Sequence, residues 1–77
     1  MTKDEICLLI KVALDADNEI DINASADNIP EWDSLGHLSI LTALDQAVDG
    51  RASSLSELSD ATSVTGIINI LESQKII

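Results

Sequence analysis

Apolar residues recur at helical spacing in three separate stretches of this chain, and nothing else in it constrains the fold as much. Ile6, Leu9, Ile10 and Ala13 stand at i, i+3, i+4 and i+7, the spacing of one helix face. Leu35, Leu38, Leu41, Ala43, Leu44 and Val48 form a second apolar face, and Val64, Ile67, Ile68 and Leu71 a third. Thr2-Lys3-Asp4-Glu5 fits a capping box in front of the first run, which predicts a helix over about residues 3–15. The second run predicts a helix over about residues 34–48, with Gly50 suited to the stop. Ser54-Leu55-Ser56-Glu57 reads as another capping box, opening a short helix to about Ser59. Thr62 or Ser63 then caps the last helix. Trp32 is the only aromatic residue, so the core is Ile, Leu, Val and Ala. A chain without Phe or Tyr is a poor candidate for a β-sandwich or barrel. The expected fold is all-α: a small four-helix bundle of three main helices and one short one, a single domain over residues 1–77.

Between the first two runs the period is lost. Residues 16–32, A-D-N-E-I-D-I-N-A-S-A-D-N-I-P-E-W, are rich in Asp and Asn, which compete for backbone hydrogen bonds and favour turns. Pro30 biases Ile29 away from helix. So long a loop is unusual in a compact domain without a function. Ile20, Ile22, Ile29 and Trp32 are expected to pin it to the core.

Charge narrows the function. Fourteen acids face four bases, a formal charge of −10. That argues against nucleic acid and against anionic membranes, whose binders need clustered Lys and Arg. It suits partners with basic docking patches. From Val12 to Gly50 there is no Lys or Arg, while Asp15, Asp17, Glu19, Asp21, Asp27, Glu31, Asp33, Asp45 and Asp49 lie there. A single cysteine and an N-terminus without a positive, apolar leader give the expectation of a cytoplasmic protein. A monomer is expected. Cys7 is expected to be a buried, inert thiol.

Several constellations bear on chemistry. Asp15-x-Asp17-x-Glu19-x-Asp21 begins like a calcium loop, but Ile20 and Ala26 occupy the places where an EF-hand needs its sixth-position Gly and twelfth-position Glu. No metal site is expected. Ser34 and His37 are three apart and adjacent on a helix surface, but a hydrolase also needs an orienting group and an oxyanion hole. No catalytic residue is expected, and His37 reads as an exposed polar residue. Ser34 is a fair N-cap, as is Asp33. A serine in a helix's first turn also lies at the positive end of the helix dipole, a natural place for a phosphate.

In its length, acidic balance, element order and the run W32-D-S-L-G-H-L-S-I-L-T-A-L-D-Q-A-V48, the chain resembles an acyl carrier protein. D-A-T-S-V-T-G-I-I-N-I-L, residues 60–71, is similar to that family's final helix. The resemblance implies a non-enzymatic carrier whose Ser34 is esterified to 4′-phosphopantetheine by a phosphopantetheinyl transferase, with coenzyme A as donor and magnesium assisting. The arm's thiol would hold acyl intermediates as thioesters for loading and transferring enzymes. It implies docking through Asp33 and Leu35, with Gly36, Ser39 and Asp45 on the same helix. Housekeeping fatty-acid carriers have an acid-rich second helix, whereas here Asp45 is the only acid between Ser34 and Val48. That departure points to a specialised lipid or polyketide-type pathway. The alternatives are an aminoacyl or peptidyl carrier, and an acidic helical interaction domain without a prosthetic group.

Overall fold

Each helix begins where a polar side chain answers backbone N–H groups that have no partner within the helix. In the computed structural model, which describes residues 1–52 and 54–77, the first helix, α1, spans Lys3–Leu14. Thr2 Oγ1 accepts from Glu5 N–H at 3.1 Å, and Thr2 N–H donates to Glu5 Oε1 at 2.7 Å. The predicted capping box is therefore present. Asp15 ends the helix in the left-handed region at φ 52°, one residue before the expected boundary. α2 spans Ser34–Ala47 and α3 spans Val64–Ser73. Ser63, not Thr62, caps α3 by accepting the Gly66 N–H at 3.0 Å. Past α2, Asp49 and Gly50 both take positive φ, and Gly50 N–H donates back to Asp45 O at 2.8 Å.

The fourth element departs from expectation. Ser56–Asp60 is a 3₁₀ turn with Leu55 at its N-cap and no side-chain cap bond. Ser54 does not cap it; its hydroxyl donates back to Arg51 O at 3.3 Å. With only five residues and eclipsed i, i+3 side chains, such a turn stays short. Its one fully inserted side chain is Leu58, 2% exposed. The fold is thus three α-helices and a 3₁₀ turn, with no strand among the described residues.

The core is aliphatic. Ile6, Ile10, Ile40, Leu44, Leu58, Val64, Ile67 and Leu71 are all sealed from solvent, and each such side chain contributes about 1.5–3 kcal/mol of transfer free energy. α2 turns inward only part of the face read in the sequence: Leu44 and Val48 lie on it, but Ile40 takes the place expected of Leu35 and Leu38. Ile40, Leu44 and Val48 are buried, while Leu35 is 76% and Leu38 58% exposed. Every side of this helix carries apolar residues, so periodicity alone could not choose which side faces in.

The long loop is tied down at both ends. Ile20, Ala24 and Trp32 are buried and Ile29 is half-buried, but Ile22 is exposed rather than a pin. Small turns hold its shape: Asn23 N–H donates to Asp21 Oδ1, Ser25 N–H to Asn28 Oδ1, and Asn28 Nδ2 to Asn23 O. The loop then pairs with the start of α3. Ala26 N–H donates to Thr62 O at 2.9 Å, Val64 N–H to Ala24 O at 3.0 Å, and Thr65 Oγ1 to Ile22 O at 2.7 Å. Among the described residues no helix is long and apolar enough to cross a membrane.

Candidate functional site

The first turn of α2 is built by its neighbours. Asp33 sits in extended backbone before the helix, and its Oδ1 accepts from Gly36 N–H at 2.8 Å. Asp33 is therefore the cap. Ser34 is the first helical residue and exposed, which leaves its hydroxyl outside the capping bond. A Cβ on Gly36 would run into the Glu31 backbone oxygen and would stand 2.8 Å from a methyl of Leu14. Glycine there is what lets the loop end lie against the helix and deliver Asp33 and Ser34 to its tip.

At Ser34 opens a recess of about 540 Å³ whose lining includes Trp32, Asp33, Ser34, His37, Leu38 and Leu41. Its back wall is held by hydrogen bonds that the sequence reading missed. Trp32 is 3% exposed, and its Nε1–H donates to His37 Nδ1 at 3.0 Å. The two rings lie within 17° of parallel. His37 Nε2 stands 2.9 Å from Leu58 O. His37 is therefore half-buried rather than the exposed polar residue expected. Both ring nitrogens are engaged, and neither is left to take a proton from Ser34. Two signals for this were present in the sequence. His37 shares the Ile40, Leu44, Val48 face, at three, seven and eleven residues' spacing. A buried indole N–H also needs an acceptor, and His37 is the chain's only histidine.

The remaining site residues are spread along α2. Asp33, Ser34 and Leu35 share its exposed first turn. Ser39 is exposed one turn on, its hydroxyl donating to Leu35 O at 3.3 Å. Gly36 is half-buried against the loop. Asp45 lies two turns further along and borders a separate hollow of about 320 Å³ with Leu55 and Leu58. Among the described residues no three His, Cys, Asp or Glu side chains gather as a metal-ligand group. Cys7 is buried in α1. Burial pushes its thiol pKa up, and Asp4 and Asp21 add to that. Set against known proteins, the chain matches no family model, no curated protein and no solved structure.

Proposed function

We propose that this chain is a carrier that holds acyl groups on a 4′-phosphopantetheine arm attached to Ser34. The observation that carries the reading is the division of labour at the tip of α2. Asp33 does the capping, so the serine beside it is exposed and structurally spare. A residue needed only for stability would be the cap itself.

The surroundings fit such an arm. Ser34 Oγ lies at the positive end of α2, which favours a phosphodiester there. The recess beside it offers apolar walls from Trp32, Leu38 and Leu41. Leu35, at the same tip, is the most exposed of the large apolar residues and gives a docking enzyme an apolar contact. The bound arm supplies the thiol that forms the thioester. The near-absence of acids on α2 suits a dedicated lipid or polyketide-type pathway.

The test is intact mass before and after incubation with coenzyme A, magnesium and a broad-specificity phosphopantetheinyl transferase. The expected result is the gain of one phosphopantetheine in the wild type and none in Ser34→Ala. A folded wild-type chain that gains nothing returns the protein to an acidic interaction domain.

A further inference from the structure

The Trp32–His37–Leu58 chain admits one protonation state. An indole N–H is a donor only, and a carbonyl oxygen is an acceptor only. With the indole donating to Nδ1 at 3.0 Å, Nδ1 carries no hydrogen. The ring's one hydrogen is then on Nε2 and donates to Leu58 O at 2.9 Å. Neutral imidazole makes both bonds; imidazolium makes one of them, because its second N–H would face the indole N–H. This ring joins three parts of the molecule: the loop end through Trp32, α2 through its own backbone, and the 3₁₀ turn through Leu58.

We infer that His37 is a proton-operated latch: neutral, it fastens the loop end and the 3₁₀ turn to α2 and shapes the recess beside Ser34; protonated, it releases Trp32 and opens that wall. The groups around the ring are acidic. Asp33 lines the recess, and its carboxylate already accepts from Gly36 N–H. The loop carries Asp27 and Glu31, and the 3₁₀ turn carries Glu57 and Asp60. No Lys or Arg lines the recess. The bond that an imidazolium formed there loses is the one to Trp32. The latch itself rests on the hydrogen-bond geometry alone. Only its consequence, that protonation loosens the pocket flanking a Ser34-borne arm, rests on the carrier reading.

The experiment is NMR on the whole chain, without any prosthetic group, from pH 8 to pH 5. Trp32 is the only tryptophan and His37 the only histidine, so both rings give single, assignable signals. The expected wild-type result is an Nε2–H tautomer at high pH, with the indole N–H resonance moving on the same midpoint as the His37 ring protons. In His37→Gln, which is neutral throughout, the indole resonance should stay still over that range. A neutral ring protonated at Nδ1 would overturn the latch. So would an indole resonance that ignores the His37 titration. If the variant fails to fold, the wild-type tautomer and shared midpoint still decide the matter. The mass test of Ser34 is independent, so the carrier reading and the latch can fail separately.

Discussion

Asp33 accepts the Gly36 N–H while Ser34, next to it, stands free of that bond, so two adjacent substitutions should behave differently. Asp33→Ala is expected to lower stability by about 0.5–2 kcal/mol, as loss of an N-cap does. Ser34→Ala should stay within about 0.5 kcal/mol of wild type, as surface changes usually do. Urea denaturation of both variants checks this, and equal losses would put the serine back in the cap. Cys7 gives a second prediction at this scale. Its thiol pKa is raised by burial, then by Asp4 and Asp21, so the native state holds the thiol proton more tightly than the unfolded chain does. That contribution is complete below the unfolded thiol pKa of roughly 8.5 and is lost as pH rises through the native value. Stability should therefore fall more steeply as pH rises above about 8.5 in wild type than in Cys7→Ala. Parallel falls in urea midpoint would contradict it. Gly36 shows what one sequence hides. Its missing side chain is explained by the Glu31 carbonyl pressed against it, a contact between loop and helix that no local pattern announces.

At the scale of elements, the caps were more legible than the faces. Thr2 and Ser63 mark α1 and α3 because a cap is a local bond, written in adjacent residues. The inner side of α2 was only half legible: Leu44 and Val48 were on the face read, Ile40 was not. Leu35 and Leu38 fit a helical face as well as Ile40 does, and only packing against α1 and the 3₁₀ turn decides between them. Substitution separates the two sides. Ile40→Ala should cost about 2–5 kcal/mol, as truncation of a sealed core side chain does. Leu38→Ala should cost far less, because the leucine is already 58% exposed. Similar losses for the two in chemical denaturation would mean that α2 is rotated from the orientation described. Ser54-Leu55-Ser56-Glu57 has the letters of a capping box and lacks the helix behind it. The Trp32–His37 bond spans five residues and crosses a helix boundary, where neither helix nor strand periodicity applies.

For the whole molecule, a net charge of −10 rests on a core built from 77 residues. Self-repulsion opposes compaction, and salt screens it. The melting temperature should rise from low to moderate salt, and a flat profile would show that the acids are spaced widely enough not to matter. For the carrier proposed above, the same charge would serve traffic: visits to many enzymes need fast, brief encounters, which long-range steering provides. The pairing of residues 24–26 with 62–64 has a mechanical consequence. It closes the intervening chain into a ring, with Ser34 and the whole of α2 inside. A pull applied at Ser34 is a pull on a hoop, not on a free strand. The load divides between both arms of the hoop and converges on its clasp, where Ala24 and Ala26 meet Thr62 and Val64. For α2 to swing out as one lever, with its own helical bonds intact, the clasp must give and Ile40 and Leu44 must leave the core.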